Sequence, residues 1–114
     1  MGEPPEVEED LNDIVGNAAE DIVLECTILP GDPKAEIHWY KAAKEIYEDK
    51  RHKITYVDDV AKLVIKKCDL GDSGTYSCEA ANKLGRVSTE CKVVVTSTDF
   101  FNAHKQLLNY SNFI

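Results

Sequence analysis

Cys26, Cys68, Cys78 and Cys91, with His38, His52 and His104, are the side chains of this chain best suited to ligate a metal, form a bridge, or act as nucleophile and base. Their spacing points away from each catalytic use. Structural zinc asks for cysteines two to four residues apart and histidines at matching intervals, and no two cysteines here are that close. A nucleophile needs a base within hydrogen-bond reach. Sequence alternation places His38 on the outward side of a strand, His52 at a strand start and His104 in a C-terminal tail. The six glycines are scattered among turns and do not gather into a phosphate-cradling loop. The expectation is a chain with no catalytic residues, no metal and no cofactor.

What remains for the thiols is packing or pairing, and their neighbours say where. Cys26 and Cys78 are 52 positions apart, Trp39 follows the first by 13, and Tyr76 precedes the second by two within DSGTYSC. Around them the sequence alternates with period two, the mark of strands with one buried face. Ile22, Leu24 and Cys26 share one parity, as do Ile37 and Trp39, then Leu63 and Ile65, then Tyr76, Cys78 and Ala80, and last Cys91, Val93 and Val95. The first short strand is read at Leu11, Ile14 and Val15, and the polar residues 1–10, with Pro4 and Pro5, as a linker leading into it. Lys44–Ile46 and His52–Val57 add strands, and turn formers crowd Leu29–Lys34, Asp69–Gly74 and Lys83–Gly85. Short strands separated by turns every 8 to 12 residues predict an all-β, two-sheet antiparallel sandwich.

Composition bounds the function. The chain has 114 residues and a formal net charge of −8, from 21 acidic and 13 basic side chains. That length is one domain with residues to spare at its ends. The run GEPPEVEEDLND holds six acids and no base, and an acidic chain is a poor ligand for nucleic acid. No apolar run is long enough to cross a bilayer, and no basic segment followed by an apolar stretch suggests a secretory signal. No membrane partner is expected.

The stretch LVIKKCDLGDSGTYSCEAANKLG, Leu63 to Gly85, carries an L-x-I, a D-x-G-x-Y-x-C and an A-x-N-x-x-G hairpin. With Cys26 and Trp39 these motifs make residues 5 to 95 resemble an intermediate-set (I-set) immunoglobulin domain. The likeness is to the domains of intracellular muscle and cytoskeletal giants such as titin, twitchin and obscurin, and of myosin light chain kinase. The resemblance implies an immunoglobulin-like sandwich whose structural core is Cys26, Trp39, Leu63, Tyr76 and Cys78. It implies that Cys26 and Cys78 face each other between the sheets, as a disulfide or as two reduced thiols. A bridge would close a loop worth about 4 kcal/mol. Tyr76 is expected to bond the backbone just upstream, and Asp72 to bond within its own turn or to pair with Arg51 or Lys53. Cys68 and Cys91 are read as buried thiols, with a second bridge as the alternative. One departure stands out: where the family has glycine seven residues before the first cysteine, this chain has Ala19.

Three segments follow: residues 1–4 as linker, 5–96 as the immunoglobulin domain, and 97–114 as a tail. In the tail Phe100, Phe101, His104, Leu107 and Leu108 fall at three- and four-residue steps. That spacing predicts a short helix capped by Ser97, Thr98 or Asp99, and such a helix is marginal alone. Its Phe100, Phe101, Leu107 and Leu108 are candidate partner-binding residues; a disordered or vector-derived end is the alternative. The functional expectation is a non-catalytic structural and protein-interaction module of a larger, sarcomeric or cytoskeletal protein in the cytoplasm. Its partners would be neighbouring immunoglobulin or fibronectin-type domains and cytoskeletal or sarcomeric proteins, and the isolated domain would be monomeric. Two alternatives stay open: an extracellular adhesion or receptor domain, bridged and glycosylated at Asn109, and a kinase-associated domain with a regulatory tail.

Overall fold

Period-two hydrophobicity becomes strand at nine places in the computed structural model, which describes residues 2–97. In chain order these are β1 (Glu6–Glu9), β2 (Ile14–Asn17), β3 (Ile22–Leu29), β4 (Glu36–Lys41), β5 (Lys44–Ile46), β6 (His52–Val57), β7 (Val60–Ile65), β8 (Gly74–Asn82) and β9 (Gly85–Thr96). A 3-10 turn, Leu70–Asp72, precedes β8. One sheet has the order β1-β3-β7-β6 and the other β2-β9-β8-β4-β5. All pairings are antiparallel except that of β2 with β9. The inward residues of β3, β7, β8 and β9 interleave as one core with Trp39, the two-layer arrangement of a sandwich.

The N-terminal segment differs from its reading as a linker. Glu6–Glu9 is a strand, held antiparallel on β3. Its three glutamates face solvent or lie near it while Val7 packs on the core. An edge strand coheres through backbone bonds, so acidic composition conceals it. The chain then changes sheets at Leu11, which is buried and donates its N–H to Thr89 Oγ1 at 3.0 Å. Leu11 thus plugs the gap between β1 and β2 and belongs to neither. Upstream, Glu3 exchanges both backbone bonds with Asp32, at 2.8 and 2.9 Å. Gly31 makes that approach feasible: its φ is +70°, and a Cβ there would lie 2.5 Å from the Glu3 carbonyl oxygen.

Turn chemistry sets the registers. The two residues joining β6 to β7, Asp58 and Asp59, have φ of +52° and +66°. Two positive φ values match the twist of a two-residue hairpin. In the β8–β9 hairpin the Asn82 Oδ1 accepts the N–H groups of Leu84 and Gly85, at 2.9 and 3.1 Å. At Ala19 the chain adopts φ +75°, the left-handed conformation that glycine enters without strain. The family's glycine is missing here, but the turn it serves is still made. Ala19 donates to the Cys68 carbonyl at 2.7 Å, and Cys68 donates back to that of Glu20 at 2.8 Å.

Candidate functional site

Cys26 on β3 and Cys78 on β8 meet between the sheets, both buried. They share a thiol hydrogen bond, and all four cysteines of the chain are free. That bond holds Cys78 far above the usual thiol range, with burial adding to it, and holds Cys26 below. Trp39 is 0% exposed and is the register partner of Cys78 on the neighbouring strand. Its Nε1 finds no acceptor among the described residues, so the indole serves by volume and contact. Leu63 and Tyr76 complete the buried set. Cys91, on β9 beside Tyr76, is pushed up to about 11 by burial. Cys68 is raised by burial and donates its S–H to the Asn17 carbonyl at 3.1 Å. Thiols that are buried and raised are poor nucleophiles.

Below the core, Tyr76 closes a polar corner. Its hydroxyl donates to the Asp72 carbonyl at 2.7 Å. Burial, then the Asp72 charge, push its pKa up to about 12, so it stays a donor. The Asp72 carboxylate is buried and accepts from the Asp69 N–H at 2.9 Å and from the Arg51 guanidinium. Of the two bases named from the sequence it is Arg51, and not Lys53, that reaches it. One carboxylate thereby ties the end of β7 and the start of β8 to the approach to β6. Lys41 Nζ donates to the Gly71 carbonyl and lies over the Tyr76 ring, 6.0 Å from its centroid.

Among the described residues the surface offers strand edges and several shallow grooves. One groove, about 400 Å³, lies beside the β4–β5 hairpin and is lined by Lys41, Lys44, Ile46, Tyr47, His52 and Tyr76 among others. Its charged residues are of both signs, and Asp49 and His52 among them pair with each other. Along the free edge of β6, Asp49 Oδ1 accepts from the N–H groups of Arg51 and His52 at 2.8 Å and meets His52 Nδ1 at 2.9 Å. Glu48 Oε1 accepts from the Ile54 N–H at 3.3 Å. These carboxylates occupy bonding positions that an added strand would use. Sequence reasoning missed them; the signal was an aspartate opening a turn three residues before a strand start. On the outer face of the other sheet, His38 Nδ1 meets Glu45 at 2.8 Å and Nε2 meets Glu36 at 3.5 Å. The Glu45 contact raises the His38 pKa against a smaller effect of burial. Phe100, Phe101, Leu107 and Leu108 lie outside the described residues. No group of three or more His, Cys, Asp or Glu among the described residues is placed to hold a metal ion, and no described helix is long and apolar enough to cross a membrane.

Two facing sheets with this cysteine–tryptophan core and tyrosine corner define an immunoglobulin-type domain. The chain belongs to the immunoglobulin I-set domain family, whose model matches residues 5–95. Among curated proteins it resembles fast-type myosin-binding protein C of Mus musculus, 40% identical over 63% of this chain and 6% of that protein. It also resembles smooth muscle myosin light chain kinase of Gallus gallus, 34% identical over 91% of this chain and 5% of the kinase. The chain therefore spans only a small part of these relatives. Among solved structures, the titin tandem A164-A165 aligns with a TM-score of 0.79 at 28% identity, over 84% of this chain and 49% of the tandem. Titin M4 aligns with a TM-score of 0.80 over 84% of this chain and 99% of its own, which at 24% identity speaks for the fold.

Proposed function

We propose that this chain is a non-catalytic structural and interaction module, one of many in a long muscle or cytoskeletal protein in the cytoplasm. The observation that carries this reading is where the reactive side chains are spent. The four thiols are buried, Tyr76 donates to the Asp72 carbonyl, the Asp72 carboxylate is held by Asp69 and Arg51, and His38 and His52 are paired with carboxylates. What is left for function is a rigid body with exposed strands. The relatives support the setting: each is a muscle protein of which a domain this size is a small fraction. Partners would be adjacent immunoglobulin or fibronectin-type domains and sarcomeric proteins, met through edge strands and loops.

A fluorescent fusion of the chain expressed in striated muscle cells tests this. Periodic labelling in register with the sarcomere is the expected result. Diffuse labelling, or a Cys26–Cys78 bridge and a sugar on Asn109 in material recovered from those cells, would overturn it. Thiol alkylation followed by mass measurement reads the last two directly.

A further inference from the structure

The outer face of the β1-β3-β7-β6 sheet mixes apolar side chains with charges at two corners. Paired residues of a ladder point to the same side, so the register makes this face one continuous surface. Val23, Val64 and Lys53 form one row across β3, β7 and β6; Glu25, Lys62 and Thr55 form the next; Thr27, Val60 and Val57 form the third. On β1, Glu9 extends the third row beside Thr27, and Glu6 lies beside Leu29 one step further on. The residues of β3, β6 and β7 in these rows alternate with those in or packed on the core. Val23, Leu29 and Val57 are 41%, 36% and 63% exposed, and Val60 and Val64 are partly buried.

Charge divides the face about a diagonal. Glu6, Glu9 and Glu25 lie on one side and Lys53 and Lys62 on the other, with Lys62 Nζ and Glu25 Oε1 meeting across it at 3.6 Å. Glu9 and Lys53 stand at opposite corners, three strand spacings apart across the sheet and four residues apart along it. Strands lie about 4.8 Å apart and rise about 3.4 Å per residue, so both offsets are about 14 Å. Equal offsets suit a face-to-face stack of two copies whose strands cross near 90°. A two-fold axis along the diagonal then brings Glu9 of each copy to Lys53 of the other and sets Val57 against its own counterpart. Within one copy the two corners are about 19 Å apart and cannot pair. The face gives a peptide no backbone groups to bond, because β3 and β7 are each flanked by strands on both sides. Its occupant must bring a flat face of matching charge, and the chain carries such a face itself. We propose that a second copy of this chain is that occupant, seated by two reciprocal Glu9–Lys53 pairs around Val57. With side chains the face is about 20 Å on a side, burying about 800 Å² over both copies, against about 1,200–2,000 Å² in stable complexes. Each copy also carries a net charge of −8, which opposes approach. Pairing is therefore weak, at roughly 0.1–1 mM, and the chain is monomeric at micromolar concentration.

The test is sedimentation equilibrium of the full 114-residue chain from about 10 μM to about 1 mM, near physiological salt. Four variants accompany the parent: Val57→Asp, Glu9→Lys, Lys53→Glu, and the double reversal Glu9→Lys/Lys53→Glu. All three positions are exposed, and the urea midpoint of each variant checks that it folds. The parent's average mass should climb towards that of a dimer. Val57→Asp and each single reversal should weaken association about tenfold or more, since each defect occurs twice in a two-fold pair. The double reversal should recover the parent's association to within about threefold, because each new lysine then meets a new glutamate of the other copy. A parent that stays monomeric to about 1 mM would overturn the proposal. So would a Val57→Asp variant that associates like the parent, or a double reversal as weak as the single ones, since contact would then lie at an edge or on another face.

Discussion

Replacing Ala19 by glycine should make this domain more stable. Ala19 has φ +75° and is exposed, so its methyl group is strained and buries little. A residue with a Cβ pays about 1–2 kcal/mol in the left-handed region. Glycine removes that strain but loosens the unfolded chain, at a cost of about 0.4–1 kcal/mol. The backbone bonds of the turn, Ala19 to Cys68 at 2.7 Å and Cys68 to Glu20 at 2.8 Å, survive the change, so strain and chain entropy are the terms that differ. The difference favours Ala19→Gly by roughly 0.5 kcal/mol, with about 1.5 kcal/mol as the upper bound. In urea the midpoint should rise with unchanged slope, and Tm should rise by about 2–4 °C for a domain of this size. Ala19→Val should move both the other way, since β-branched side chains fit this region worst. A glycine variant less stable than the parent, with valine neutral, would show that the turn is not left-handed in solution and refute the reasoning.

Tyr76→Phe keeps the ring and removes the donor to the Asp72 carbonyl; leaving a buried acceptor unsatisfied should cost about 1–3 kcal/mol in urea unfolding. Glu48→Ala/Asp49→Ala should free the β6 edge, speeding exchange of the His52 and Ile54 amides and promoting concentration-dependent association by sedimentation. Unchanged exchange would show that the carboxylates do not guard the edge. Asp49 is held down at about 2, first by its hydrogen bond with His52 and then by two backbone N–H groups. Its contribution is therefore present above its usual carboxylate pKa and lost as pH falls through about 2, so mild acid at pH 4 should leave the edge closed. His38 is raised by Glu45, so its contribution is complete below about 6.5 and lost as pH rises through the higher folded value. Half-exposed pairs are worth at most about 1 kcal/mol, and the parent minus His38→Gln stability difference should shrink by less than that from pH 5 to pH 8.

The parts of the fold legible in the sequence are those where one face of a strand is buried. β3 reads ILCI on its inner face, and no other register keeps those residues dry. Cys26, Trp39, Leu63, Tyr76 and Cys78 were placed by the same logic together with the family motifs. β1 was illegible because its residues are mostly solvated and its cohesion lies in backbone bonds that any side chain permits. Ala19 shows the limit of motif reading in the other direction. The expected glycine is absent, yet the Cys68 and Glu20 bonds impose the conformation, and the chain tolerates the strain. The Asp49 turn before β6 had its signal in an aspartate three residues ahead of the strand, but the Glu48 contact with Ile54 had none, since exposed carboxylates near a turn are common and only the path of the chain brings this one to an edge.

The one parallel pairing among the described residues has a consequence for how the domain yields when pulled. β2 and β9 run side by side over four register pairs, Ile14–Val93 to Asn17–Thr96. Tension on the N-terminal side draws Ile14 one way along the strand axis while tension on the C-terminal side draws Thr96 the other. The rungs between them are loaded in shear and resist together, whereas an antiparallel hairpin gripped at its open end would unzip one rung at a time. β1, lying ahead of β2 and held antiparallel on the opposite sheet, is placed to peel first and lengthen the chain before the shear-loaded strands part.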